Sequence, residues 1–196
     1  MADRAADLCV SGPRDMAAGL RLFRSWLDEA VRAGVIEPTA MVLATATRTG
    51  TPSVRMVLLK VCDGRGFVFY TNLSSRKGKE LAENPQAALC FNWPEIARRV
   101  SVEGRVEPVA PEEADAYFDS RPWQSRIGAW ASRQSQPLRS RAQLLRRVAC
   151  FSMKLGLDGL ERPSFWSGFR VIPERIHFDF LDENISLPFP AVQEAG

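Results

Sequence analysis

The chain has 196 residues, of which 45% are hydrophobic and 25% charged, with a formal net charge of +3. That is the size of one domain with an ample core, or at most two small ones, and the balance is that of a soluble globular protein. No stretch approaches the length needed to span a bilayer and the N-terminus carries no apolar signal core, so a cytoplasmic location without a membrane is expected.

Residues 15–34 carry Met16, Leu20, Phe23, Leu27, Ala30 and Val31 at helical spacing, with Asp15 as expected N-cap and Gly34 as a stop. Strand-like runs follow at 40–47, 53–61 and 66–71, joined by the turn signals R-T-G-T-P and C-D-G-R. Ser75 suits the cap of a short helix that ends at Pro85. Two more strands are expected at 86–92 and 98–108, then a helix from Pro111 and another over roughly 138–154. Residues 117–136 read as a loop, and 168–180 as two strands around a Pro-Glu turn. Antiparallel strand succession with helices in blocks predicts a mainly β, α+β fold: a β-barrel flanked by helices rather than a βαβ fold. The expected organisation is an N-terminal segment over 1–14, one domain over 15–180 and a tail over 181–196.

Cys9, Cys62, Cys90 and Cys150 are scattered without a C-x-x-C, and His177 is the single histidine. That spacing argues against a zinc site or a disulfide framework, and no metal is expected. Any Ser-His or Cys-His dyad would have to be built on that one histidine. No residue is assigned as the catalyst, and chemistry is expected to belong to a bound cofactor or to arginine, lysine and tyrosine.

The stretch R-M-V-L-L-K at 55–60 brackets four apolar residues with cations. On a strand, Arg55, Val57 and Leu59 share one face while Met56, Leu58 and Lys60 share the other. The two charges therefore serve two different partners. Tyr70, Thr71 and the helix start S-R-K-G at 75–78 add donors nearby, and Arg76 and Lys77 in a first turn are unfavourable unless an anion neutralises them. Residues 117–136 mix Tyr117, Arg121, Ser125, Arg126, Arg133, Gln134 and Ser135, a set able to surround a phosphate ester. Both stretches can also be read as solvated basic surface. Nucleic-acid binding through Trp123 and Trp130 is disfavoured by the low net charge and by Glu112, Glu113, Asp115 and Asp119.

Six strings in order resemble the pyridoxine/pyridoxamine 5′-phosphate oxidase family: T-A-M-V-L-A-T, R-M-V-L-L-K, F-Y-T-N-L-S-S-R-K-G-K-E-L, Y-F-D-S-R-P, S-R-I-G-A-W-A-S-R-Q-S and P-S-F-W-S-G-F-R-V. The resemblance implies an FMN-binding split β-barrel, an antiparallel Greek-key barrel, in a homodimer with FMN at the interface and oxygen as acceptor. It implies that Arg55, Met56, Val57, Leu58, Leu59, Lys60, Tyr70, Thr71, Arg76 and Lys77 contact FMN, with Gln134 and Ser135 from the other subunit. Lys60, Tyr117, Arg121 and Ser125 would hold the 5′-phosphate of a small substrate. The implied product is pyridoxal 5′-phosphate.

Two departures accompany it. Arg99 stands where the family has a glutamine that contacts the flavin, and its charge would raise the flavin's reduction potential. After Ile176 the E-F-W and R-L-H-x-R strings are missing: Asp179 takes the tryptophan position and Ile185, Leu187 and Phe189 the others. His177 is two residues from any ligand position and reads as a strand-surface residue. A relative acting on another substrate, a frameshifted gene end and a weak FMN or B6-phosphate binder all account for this tail. Phenazine-biosynthesis flavin oxidases are one such branch, although that branch departs from R-M-V-L-L-K and S-R-K-G.

Overall fold

The computed structural model describes residues 8–131 and 160–181. The expected helix over 138–154, Gln134, Ser135 and the tail beyond 181 lie outside the described residues.

Helix α1 runs Pro13–Arg32, with Gly12 at φ 95° as its N-cap. It therefore starts ahead of Asp15, which sits in the first turn, where its charge still suits the helix dipole. Of the expected periodic face, Leu20, Phe23 and Ala30 are buried, whereas Val31 is exposed. The Phe23 ring meets Phe67 and Phe91 edge-on at centroid distances of 4.8 and 4.7 Å. A strand unforeseen from sequence, β1 (Leu8–Ser11), precedes it. Only Val10 of its four residues is buried, so no alternation was there to read.

Strands β2 (Ala40–Ala46) and β3 (Pro52–Leu58) form a hairpin whose turn is closed by Gly50 at φ 87°. The expected strand over 53–61 breaks at Leu59–Lys60 and resumes as β4 (Val61–Asp63). The reason is a change of partner. The Leu59 N–H still donates to Thr39 O at 2.8 Å, beside the β2 ladder, whereas the Lys60 N–H donates to Val68 O at 2.8 Å. Val68 lies in β5 (Gly66–Asn72), so the chain crosses there from one ladder to another.

Helix α2 (Arg76–Glu83) begins at Ser75, whose Oγ accepts from Gly78 N at 3.3 Å. Strands β6 (Gln86–Trp93) and β7 (Arg98–Pro108) form the next hairpin, over a 3-10 turn at Pro94–Ile96. Helices α3 (Pro111–Ser120) and α4 (Trp123–Ala131) replace most of the expected loop at 117–136. Pro122 starts the second helix by accepting from Ser125 N and Arg126 N at 2.8 and 3.1 Å. The arginines there masked its short apolar face, Ile127 and Ala131.

Strand β8 (Trp166–Phe180) is continuous through Pro173-Glu174, where a turn was expected. The register slips between Glu103 and Gly104, leaving Glu174 as an extra residue: a β-bulge. Proline tolerates that position because a bulge leaves a ladder donor unused. Gly104 is required opposite, since a Cβ there would strike the Ile172 carbonyl.

The resulting antiparallel sheet runs β3-β2-β6-β7-β8-β5-β4, with β1 added beside β8. It curls around a core that includes Leu43, Phe67, Phe91, Val102, Ile176 and Phe178. A second cluster of Phe118, Ile127, Leu160 and Trp166 packs α3 and α4 against the start of β8. No helix among the described residues is long and apolar enough to cross a membrane.

Candidate functional site

The crossing at Leu59–Lys60 separates the two cations of R-M-V-L-L-K. Alternation holds along the stretch: Arg55 and Val57 are half-buried, Leu59 is buried, and Met56, Leu58 and Lys60 are exposed. Arg55 turns inward from the β2–β3 hairpin, and Lys60 emerges beside β5.

Arg55 enters a cluster centred on Glu80 of α2. Its guanidinium donates to Thr45 Oγ1 at 2.6 Å and pairs with Glu80 Oε2 at 3.2 Å. Ser53 Oγ donates to the same carboxylate oxygen at 2.6 Å, Thr45 Oγ1 bonds it too, and Arg76 Nε pairs with Glu80 Oε1 at 2.8 Å. Burial alone would push the Glu80 carboxyl up, but these hydrogen bonds overcome it and hold the group at about 2. Lys77, buried in the first turn, places Nζ 3.3 Å from Thr71 Oγ1. Its pKa is lowered by burial and then by Arg55. Two cations, Arg55 and Arg76, thus share Glu80, with Lys77 beside them at a helix N-terminus whose own dipole is positive. Lys77 at this start is buried, whereas Arg76 is exposed.

On the other side of β5 lies a cavity of about 370 Å³ lined by Lys60, Tyr70, Thr71, Tyr117, Arg121 and Ser125, with Asn72, Trp166 and the first turns of α4 completing it. Tyr70 stacks on Tyr117 at 4.0 Å and 14° and on Trp166 at 5.2 Å and 9°. Gly168 makes room for this, because a Cβ there would lie 2.8 Å from the Tyr70 ring. The Arg121 guanidinium lies 4.8 Å from the Trp166 ring centre. Arg121 Nη1 is buried with no hydrogen-bond partner. Burial lowers the Arg121 pKa, and burial raises the phenols, Tyr70 to about 12, so both tyrosines keep their protons.

The structure thus brings Lys60, Tyr70, Thr71, Tyr117, Arg121 and Ser125 into one cavity and gathers Arg55, Arg76 and Lys77 behind it. Thr71 belongs to both groups. Met56 and Leu58 face outward with Val54 on the exposed side of β3, with relative exposures of 61%, 36% and 69%. Arg99 is not in the cavity. It pairs with Asp179 at 2.8 Å on the outer face, eleven residues along β8 from the Gly168 that faces Tyr70. Trp166, Asn72 and Glu80 were not singled out from sequence. Trp166 sat inside a quoted string, but only the fold turns its ring into a wall. Glu80 was legible only as the i+4 partner of Arg76.

These residues fit a phosphate monoester in two places. The buried, partnerless Arg121 nitrogen beside Lys60 and Ser125 suits one. The Arg55–Arg76–Lys77 cluster at the α2 N-terminus, with more positive than negative charge, suits another such as that of FMN. Among the described residues no group of three or more His, Cys, Asp or Glu side chains could hold a metal ion.

Comparison with known proteins identifies relatives of the chain. A family model described as pyridoxamine 5′-phosphate oxidase matches residues 27–152. Pyridoxine/pyridoxamine 5′-phosphate oxidase of Maricaulis maris is 56% identical over 157 residues, 80% of this chain and 71% of that protein. The protein of that name from Rubrobacter xylanophilus is 54% identical over 159 residues, 81% of this chain and 73% of its own. Among solved structures, PhzG from Burkholderia lata 383, in complex with tetrahydrophenazine-1-carboxylic acid, superposes with a TM-score of 0.78 at 32% identity, covering 84% of this chain and 80% of that one. A pyridoxamine 5′-phosphate oxidase-related, FMN-binding protein from Nostoc punctiforme shares the fold, with a TM-score of 0.64 at 14% identity over 80% of this chain and 83% of that one. The curled antiparallel sheet is that of the FMN-binding split barrels, and with more than half its length matched the chain belongs to the pyridoxamine 5′-phosphate oxidase family of oxidoreductases.

Proposed function

We propose that the protein is an FMN-dependent oxidase that converts pyridoxine or pyridoxamine 5′-phosphate to pyridoxal 5′-phosphate, with oxygen as acceptor. The observation that carries this reading is the buried, partnerless Nη1 of Arg121 in a cavity that also holds Lys60 and Ser125. Lys60, Arg121 and Ser125 hold the substrate phosphate, and Tyr117 closes over it. The parallel Tyr70, Tyr117 and Trp166 rings exclude water and give a flat ring an apolar wall. Arg55, Arg76 and Lys77 hold the phosphate of FMN, with Thr71 orienting Lys77. FMN, when bound, supplies the redox chemistry by accepting a hydride from the substrate carbon. The protein's part is position and charge, and a single histidine is no obstacle to it.

A homodimer with FMN at the interface is part of this proposal, as is a cytoplasmic setting. The exposed apolar row Val54, Met56 and Leu58 supports the dimer. So does the outward position of Arg99, distant from its own protomer's cavity and open to a partner's. Gln134 and Ser135 are assigned to the flavin site by resemblance alone.

One observation favours a second reading, a related oxidase acting on a different ring compound. The similarity to PhzG extends over most of both chains, and Asp179, tied to Arg99, stands at the position of the family's E-F-W tryptophan. Anaerobic mixing with candidate substrates separates the readings. Bleaching of the flavin by pyridoxine and pyridoxamine 5′-phosphates supports the first. Bleaching by a reduced phenazine carboxylate but not by the B6 phosphates supports the second. Tight FMN binding with no bleaching by either leaves a binding protein.

A further inference from the structure

The chain's only histidine has a partner outside the cavity. His177 on β8 is the register partner of Cys9 on β1, and its Nε2 lies 3.5 Å from Cys9 Sγ. The neighbouring Val10, Ile176 and Phe178 are buried in the core, so strand alternation turns Cys9 and His177 to the outer face. Cys9 is exposed there. Both ends of the pair therefore ride on a hydrogen-bonded ladder anchored by core residues, which fixes their separation.

The charged groups around the pair are already matched. On β8, Arg175 and Asp179 flank His177, and on β7 they meet Glu103 at 2.9 Å and Arg99 at 2.8 Å. Ser101, also on β7, is the remaining register neighbour, and on β1 the flanking residues are Leu8, Val10 and Ser11. No other described cysteine shares this setting. Cys62 is half-buried, and burial pushes its thiol to about 12 against the opposing pull of Arg24. Cys90, half-buried in β6, has Phe91 O as its hydrogen-bond acceptor at 3.9 Å.

We propose that Cys9 and His177 form a thiol–imidazole pair that makes Cys9 a site of exchange with small disulfides. His177 Nε2 takes the thiol proton, and Cys9 Sγ attacks one sulfur of the disulfide. The S–S bond breaks, and the departing thiolate carries off the proton from the imidazole. One disulfide and one protein thiol give one mixed disulfide and one free thiol, and a second thiol reverses the step. No oxidant beyond the disulfide is consumed. The adduct stands on β1 beside His177, on the outer face of the sheet, and leaves the cavity untouched.

The test uses the full-length protein and oxidised glutathione, with each cysteine followed by peptide mass spectrometry over pH 6–9. At pH 7, Cys9 should react about 10-fold or more faster than Cys90, and His177→Asn should lower the Cys9 rate by about 10-fold while leaving Cys90 unchanged. His177→Gln keeps a hydrogen-bonding group beside the thiol but cannot take its proton, so it should stay slow. A Cys9 rate that is unchanged in His177→Asn across the pH range, or restored in His177→Gln, overturns the proposal. Thermal melts of both variants matching the parent protein exclude loss of fold as the cause of slowing.

Discussion

Arg99 Nε donates to Asp179 Oδ2 at 2.8 Å, directly across the β7–β8 ladder where the two are register partners. Both positions depart from the family's strings, and they meet each other. One offsets the other: an added cation is matched by an added carboxylate, so the pair adds no net charge. The rise in flavin potential expected from Arg99 alone is therefore not expected of the pair.

In a double-variant cycle, Arg99→Gln and Asp179→Asn should each lower stability slightly, with a coupling of about 0.2–1 kcal/mol, because Arg99 is nearly half exposed. Under the proposed function, Asp179→Asn alone leaves an uncancelled positive charge and should raise the midpoint potential of bound FMN. The Arg99→Gln/Asp179→Asn protein should return to the parent value. Denaturant melts and spectroelectrochemical titration read the two effects, and additive single-variant losses would show that the pair is not coupled.

Glu80 makes a prediction in acid. Its carboxyl is held at about 2, below the ordinary 4.5 of the unfolded chain. A depressed carboxyl contributes stability that is present above the unfolded value and is lost as pH falls toward the folded one. The cluster should therefore contribute roughly 3 kcal/mol at neutral pH that fades between about pH 4.5 and 2. Glu80→Gln should remove most of that pH dependence while destabilising the protein at pH 7, as denaturant midpoints across the range would record.

Arg121 separates binding from turnover. Under the proposed function, Arg121→Ala removes a charged contact to the substrate phosphate, typically 2–5 kcal/mol, so KM for the phosphorylated substrate should rise by about 30-fold or more. The same variant should leave flavin content unchanged, because Arg121 lies apart from the Arg55–Arg76–Lys77 cluster. Steady-state oxygen uptake, with the dephosphorylated substrate as reference, checks this; an equal loss on both substrates would contradict a phosphate role.

Arg170 fixes where α3 sits. It is 1% exposed, and its guanidinium pairs with Asp63 at 2.7 Å and with Glu113 of α3 at 2.6 Å. Arg170→Ala leaves Asp63 and Glu113 without their buried partner but still paired with Arg65, and should cost about 1–3 kcal/mol, more than a surface pair. Arg170→Lys, which keeps one charge but not the fork, should fold and still weaken substrate binding through displaced Tyr117. Thermal melts and KM for the two variants distinguish the effects.

Much of this layout was written locally. The Ser75 cap, the β6 and β7 spans and the alternation of R-M-V-L-L-K follow from neighbouring residues, and the structure repeats them. What the sequence could not convey were changes of partner. Leu59–Lys60 read as strand interior because its apolar pattern never pauses, yet the ladder it pairs with changes there. Pro173-Glu174 read as a turn because proline usually breaks a strand, but Gly104 on β7 makes room for a bulge. Both depend on residues distant in sequence. The cation-rich strings pointed to phosphate, but Trp166 acquires its place only when α3, α4 and β8 converge, and Glu80 only when α2 packs on the β2–β3 hairpin.

The crossing at Leu59–Lys60 also acts as a caliper. Arg55 is rooted in one ladder and Lys60 opens toward the cavity of the next, with continuous extended chain between them that can span roughly 17 Å at most. Under the proposed function, the distance between the two phosphate sites is thereby set by covalent length as well as by packing. Removing one residue from the stretch would shorten the gauge and turn Lys60 toward the core, so spacing and facing would fail together. A ligand pair of another length would need a different gauge, whatever charges it met at either end.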